Sequence, residues 1–580
     1  MDKISKKDKM NNKILLRLKK YLNSHNLDGY IVPKNDAYFS EYSSPDRLKT
    51  VSNFSGSAGF AIILKKKNFL FVDGRYTIQA KIESGKRFKV IEIPKKYPRD
   101  VLGGFKKKLI LGFDPQLFTS FSINKTFGNH FKLLPISNNL IDKIVYKKDI
   151  RKSINPFYNL EENITGEKTE TKINKIIKYM SSKSIDNIFI SAPENVAWLL
   201  NLRGGDNPNS PIPNCKLILT RQKGMYFFSC PKKIYKIKKH NFYKKLKFSR
   251  YQDFDKIIRN LNGNSFCLDK TTCSIANENI IRSIFKIKSV VDPCYRFKAI
   301  KNKIEIKNMI NAHIEDGVAL TKFIYWIKKM NKKKITEYEA QNKLERFRKN
   351  NKNYLYPSFN TIAGSGSNAA IVHYRSTKKN TKLINKNDIF LCDSGGQYKY
   401  GTTDVTRTLC FSKPKKNIKN IFTKVLKGHI AVACTNINVN RTGKSIDVRA
   451  RKFLKKANLD YAHGTGHGVG FFLNVHEGPQ SISKFNEVKI SEGMILSNEP
   501  GYYKKGKFGI RIENLLYVKK FGYKLLFENL TLAPIDNDLI DFKQLSKEEK
   551  KYLFKYNMKV YSKISPFLNK NERKWLASTI

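Results

Sequence analysis

The chain has 580 residues, with 111 Lys or Arg against 48 Asp or Glu, for a formal net charge of +63. Hydrophobic residues make up 40% and aromatics 12%, which excludes a wholly disordered chain. The 32 Gly and 19 Pro exclude collagen-like and Pro-rich classes. No apolar run approaches the roughly 20 residues a membrane-spanning helix needs, and the lysine-rich start lacks the apolar block of a secretory signal. The positive charge is mostly Lys and is spread along the whole chain with no recognition motif, so no specific nucleic acid partner is expected, only weak sticking to polyanions. Eight cysteines without a CxxC spacing argue against a disulfide scaffold or a thiolate zinc site, and for a reducing, cytoplasmic setting.

The length predicts three or four domains. In chain order, an amphipathic stretch at Ile14 to Leu22 precedes a strand at Gly29 to Pro33. Phe60 to Leu64 and Phe69 to Val72 flank a lysine-rich turn and read as a hairpin. After a polar stretch at Glu161 to Thr171, a helix pattern at Ile173 to Met180 and a strand at Asn187 to Ile190 open a second α/β segment. Apolar residues at helical spacing run from Ile304 to Met330. Thr336 with Glu339 three residues on marks the start of another helix through Arg348. Beyond Pro357 come short strands and glycine turns, and from Lys543 the chain is again helical. The segments are set at 1–150, 151–295, 296–525 and 526–580. A common strand–helix order in the first two is conceivable but not demonstrable from sequence.

The chemistry concentrates between Tyr354 and Leu516, which holds five of the nine histidines. An apolar strand ends at Asp393 before a double-glycine turn, and Asp404 follows eleven positions on. Taken singly, each Asp reads as a turn former. Together, on strands joined by a Gly-rich turn, they could face one another across a hairpin, where like charges repel unless a cation lies between. His463-Gly-Thr-Gly-His467 and His476-Glu-Gly-Pro pack glycines around histidines, letting the backbone approach a ligand. Glu499 follows an apolar strand. Glu513 sits in an alternating strand beside Arg511, where the bland reading is a solvent-facing ion pair. Asp393, Asp404, His467, Glu499 and Glu513 form an oxygen-rich set suited to two hard divalent ions and metal-assisted amide hydrolysis. Their convergence does not follow from sequence.

These motifs resemble those of the pita-bread metallopeptidases, which include methionine aminopeptidase, prolidase and aminopeptidase P, and above all the long, three-domain aminopeptidase P family. The resemblance covers nearly the whole chain. It includes Asp36 to Tyr42, Ser55 to Gly59 and Asp73 to Ala80 in the first segment, and Asn195 to Arg203 in the second. It implies two creatinase-like α/β domains, an α+β pita-bread catalytic domain and a helical carboxyl-terminal extension. It further implies that Asp393 holds one metal, Asp404 and Glu513 bridge two, and His467 and Glu499 hold the other. His373, His463 and His476 would be catalytic histidines on the substrate side, and Arg511 would orient Glu513. The implied reaction is hydrolysis of the bond between an amino-terminal residue and a penultimate proline by a hydroxide held between two divalent ions, Mn²⁺ by expectation, in a homodimer. The rivals are a prolidase-type dipeptidase and a non-catalytic binding protein on the same fold. His25, His130, His240 and His313 read as surface or core histidines, His429 and Trp198 as packing residues, the cysteines as buried thiols, and Lys232 to Lys247 as a solvated face.

Overall fold

The computed structural model describes residues 6–42, 44–104, 107–145, 155–329 and 334–580. The expected boundary at 150/151 and Met330 lie outside the described residues. The chain divides into two compact units, Met1–Leu160 with Glu167–Cys294, and Glu161–Gly166 with Tyr295–Ile580.

The first unit contains two six-stranded sheets. In the first sheet the strands run Lys89–Ile93, Asn68–Asp73, Phe60–Leu64, Gly29–Pro33, Ile110–Phe113, Lys132–Pro135. Phe60–Leu64 is antiparallel to both neighbours, and the other pairings are parallel. The second sheet runs Lys247–Ser249, Met225–Phe228, Lys216–Thr220, Asn187–Ile190, Ser265–Leu268, Lys286–Ser289. Its parallel and antiparallel pairings fall in the same places. The two segments therefore repeat one topology, which their sequences alone did not reveal. Central strands such as Phe60–Leu64 and Asn187–Ile190 are buried at every position, as expected when both faces of a sheet are covered. The predicted hairpin forms, with Phe60 stacked on Phe71 at 4.8 Å.

The second unit is built on antiparallel pairings flanked by helices. The predicted long helix spans Lys303–Lys329. The next, Glu337–Lys349, starts at Thr336 in a reciprocal capping box with Glu339. A three-stranded sheet pairs Ile362–Ser365, Phe390–Ser394 and Val405–Leu409. A five-stranded sheet includes Gly466–Gly468, Ile495–Asn498 and Asn514–Phe521, and a two-stranded ribbon pairs Gly501–Lys504 with Phe508–Arg511. The helix Lys547–Ile564 packs Leu553, Tyr556 and Val560 into the core against Ile510, Ile512 and Leu532.

Several expectations are refined. The strand carrying Arg511 and Glu513 is interrupted, since Phe508–Arg511 and Asn514–Phe521 belong to different sheets. Both residues are 1% exposed, so the solvent-face ion pair is excluded. Cys230 and Cys434 are exposed, because they lie at the ends of a strand and of a helix rather than inside them. Lys233, within the lysine run, is buried and ion-paired with Asp206.

Candidate metal centre

Two antiparallel sheets and the ribbon bring the acids together. Asp393 lies on Phe390–Ser394, opposite Thr406 of Val405–Leu409, and Asp404 immediately precedes that strand. The chain between them is more than a turn: Gly396–Tyr398 and Gly401–Thr402 form a small hairpin in another sheet. The Glu513 backbone N–H donates to the Thr406 carbonyl at 3.2 Å, and the Thr406 hydroxyl donates to Glu513 Oε2 at 2.7 Å. Arg407 reaches behind this pair, donating to the Glu513 carbonyl at 2.6 Å and to the Tyr556 hydroxyl at 2.9 Å. His467 sits mid-strand, where Gly466 is obligatory: a Cβ there would stand 1.9 Å from the Ser497 carbonyl oxygen. Glu499 follows the strand Ile495–Asn498, and its N–H donates to the Thr465 carbonyl at 2.8 Å.

Asp404, His467 and Glu513 each present a ligand atom within 4.8 Å of the others. His467 Nε2 is 3.4 Å from Asp404 Oδ2 and 3.6 Å from Glu499 Oε1. Its Nδ1 lies 2.9 Å from the Gly468 carbonyl oxygen, so Nδ1–H donates there and Nε2 is turned to the acids. Arg511 donates to Asp393 Oδ2 at 2.6 Å, while Oδ1, although buried, has no hydrogen-bond partner among the described residues.

The electrostatics follow from crowding. Burial pushes the Asp393 carboxyl up to about 7, with Asp404 and Glu499 adding to the rise and Arg511 opposing it. Burial also raises Glu499, and it lifts Glu513 well above the ordinary range, reinforced by Asp404, Glu499 and Asp393. Burial alone would lower the His467 imidazole, but the hydrogen bond to Asp404 and the charges of Glu499 and Asp404 outweigh it and raise it to about 9. Three buried carboxylates and the half-buried Glu499, set against the Arg511 guanidinium and the His467 and His476 imidazoles, are a donor set that fits divalent cations. The orphaned Asp393 oxygen fits the same assignment.

The three histidines expected on the substrate side are placed unequally. The His476 ring lies 4.3 Å from that of His467, centroid to centroid. His463 Nε2 is 2.9 Å from the Tyr503 hydroxyl, which accepts from Arg511 Nη1 at 2.6 Å. Arginine only donates, so Tyr503 donates to His463 Nε2, and His463 Nδ1–H donates to the Gly464 carbonyl at 2.7 Å. His373 is half-buried in the segment that follows the 3₁₀ turn Gly366–Ala370. That turn packs on the ribbon so closely that a Cβ on Gly509 would stand 1.9 Å from the Ala369 carbonyl oxygen.

The sequence alone gives no role to Tyr503, although it lies only four residues after Glu499. It also missed Arg451, which donates to the His463 carbonyl at 2.6 Å and the Tyr461 carbonyl at 2.8 Å from the helix Gly443–Lys455. His429 is buried, in line with a packing role, and His313 proves to be a core histidine; burial lowers both imidazoles.

Residues 307–520 match metallopeptidase family M24. Residues 15–144 and 150–305 each match the creatinase/prolidase N-terminal domain, and 524–580 match the C-terminal region of peptidase M24. A probable Xaa-Pro aminopeptidase P of Paracoccidioides brasiliensis (strain Pb03) is 37% identical over 97% of both chains. Xaa-Pro aminopeptidase 1 of Dictyostelium discoideum is 35% identical over 100% of this chain and 99% of its own. The crystal structure of X-prolyl aminopeptidase from Caenorhabditis elegans, described as a cytosolic enzyme with a di-nuclear active site, superimposes with a TM-score of 0.92. It is 30% identical and is covered to 99%, against 98% of this chain. The chain belongs to metallopeptidase family M24, with two creatinase-type amino-terminal domains ahead of a pita-bread catalytic domain. The expected family and fold are both met.

Proposed function

We propose that this chain is a metallo-aminopeptidase that releases the first residue from peptides whose second residue is proline. The observation that carries the reading is the convergence of Asp404, His467 and Glu513 within 4.8 Å, in a chain whose relatives over its whole length bear the name Xaa-Pro aminopeptidase. In this reading Asp393 would hold one ion, His467 and Glu499 would hold the other, and Asp404 and Glu513 would serve both. The proximity of His467 Nε2 to both Asp404 and Glu499 supports that division. Two divalent ions, Mn²⁺ in this proposal, would supply Lewis-acid polarisation of the scissile carbonyl and activation of water.

The residues around them orient the substrate. Arg511 fixes Asp393 through one nitrogen and Tyr503 through another, and Thr406 fixes Glu513 from the side. Partners of this kind set ligand orientation and basicity. His463, with His373 and His476, is assigned to the substrate side, where hydrogen bonds to a developing oxyanion contribute strongly. A penultimate proline removes the amide N–H and fixes the ring, so this bond needs a pocket of its own. We assign the domains as 1–150, 151–295, 296–525 and 526–580, the chain as a cytoplasmic homodimer, and the partners as proline-containing peptides. Among the described residues no helix is long and apolar enough to cross a membrane.

The test is a comparison of Arg-Pro-Pro with an Xaa-Pro dipeptide. Release of Arg from the tripeptide is expected. Cleavage of the dipeptide alone would move the chain to the prolidases, and cleavage of neither by metal-loaded protein would leave a binding role.

A further inference from the structure

Glu337 is the first residue of the helix Glu337–Lys349 and is fully buried. Its carboxylate accepts hydrogen bonds from one segment, residues 365–382. The Ser365 N–H donates to Oε1 at 2.7 Å, and the Lys382 N–H donates to Oε2 at 2.9 Å. The Asn368 side-chain amide donates to both oxygens at 3.0 and 3.1 Å, and the Tyr374 hydroxyl donates to Oε2 at 2.9 Å. The Glu337 backbone N–H donates in turn to the Lys382 carbonyl at 2.9 Å. These donors are neutral, and a helix amino terminus favours a carboxylate. The two ends of the segment are thus tied to one carboxylate, as is Tyr374, the residue next to His373.

The same segment touches the metal centre's supports. Ser365 ends the strand that pairs Ile362 with Asp393. Tyr374 packs in a cluster with Ile362, Ala369 and Leu391, against which Ile371 and Tyr503 also lie.

We propose that Glu337 is a positioning residue that sets the conformation of residues 365–382 and so the placement of His373 toward the substrate. The inference rests on the substrate-side role assigned to His373 above. Glu337→Gln keeps the shape but presents an NH₂ group to donors that need an acceptor. In the full-length, metal-loaded chain it lowers kcat/KM on Arg-Pro-Pro by about tenfold, the loss expected when supporting partners are broken, with the bound metal unchanged. Amide exchange of residues 365–382 accelerates, while exchange in 466–468 and 495–498 does not.

A double-mutant cycle decides whether the effect passes through His373. Combined with His373→Ala, Glu337→Gln is expected to cost almost nothing further. Additive losses, loss of metal, or unchanged exchange in 365–382 overturn the positioning role while leaving the reading of His373 intact. Wild-type activity in His373→Ala alone overturns both. If Glu337→Ala does not fold, the glutamine variant carries the test.

Discussion

Two groups of buried carboxylate in the second unit are neutralised in different ways. Glu477, next to His476, lies between the ammonium groups of Lys298 and Lys301, all with side chains at most 2% exposed. Asp316 on Arg348 and Asp447 on Arg451 are likewise answered by the chain itself. Among the described residues, Asp393, Asp404, Glu499 and Glu513 are answered by Arg511 and His467, with His476 adding its charge beside Glu499. A buried charge is tolerated only when paired. The first kind of site is therefore complete in protein alone, whereas the second calls for cations from outside.

Substitutions at the two kinds of site should fail differently. Glu513→Gln or Asp404→Asn is expected to lower kcat on Arg-Pro-Pro at least ~1,000-fold, about 4 kcal/mol of barrier, and to lower metal content, with little change in metal-free stability. Retained stoichiometric metal and activity would break the comparison. Glu477→Gln leaves two buried ammonium groups facing one another and is expected to destabilise folding by about 3–5 kcal/mol, read as a lowered denaturation midpoint with bound metal in the surviving fold. Lys301→Met should be much milder, since Lys298 still answers Glu477 and burial already lowers the Lys301 ammonium. Arg511→Met is expected to weaken metal affinity roughly 10–100-fold, measured by competition with a chelator.

The pH dependence sharpens the contrast further. In the metal-free chain His467 is raised to about 9 from 6.5, and Asp393 to about 7 from 3.8. A raised folded-state value contributes stability below the unfolded value that is lost as pH rises through the folded one. Asp393 therefore loses its contribution between about pH 4 and 7, and His467 between about 6.5 and 9. The melting temperature of stripped protein should fall across that window. Metal binding needs these groups deprotonated, so loaded protein should hold its melting temperature there, and stabilisation by metal should grow with pH. Parallel curves for both forms would contradict the assignment.

Much of the proposed site was legible because each candidate ligand is announced locally. Asp393 ends an apolar strand, His467 is bracketed by glycines that permit close approach, and Glu499 precedes Pro500. The helices Lys303–Lys329 and Glu337–Lys349 were likewise written in local periodicity and a capping box. What escaped was set by contacts remote in sequence. Arg407 supports Glu513 across 106 positions, and Arg511 grips Asp393 across 118. Tyr503 gains its meaning only when the ribbon folds its hydroxyl between Arg511 and His463. The break between Arg511 and Asn514 was hidden because the apolar–polar alternation of Ile510 to Glu513 runs straight through it, as it would in one continuous strand. The repeated topology of the two amino-terminal sheets lies in strand order and direction, which divergent sequences can share.

The most direct test is a titration of metal-stripped protein with Mn²⁺, following metal bound per chain and Arg released from Arg-Pro-Pro together. The account predicts negligible activity without metal and full activity as the second ion binds. Undiminished hydrolysis by protein shown to be free of metal, or two ions bound with no release of Arg, would contradict it.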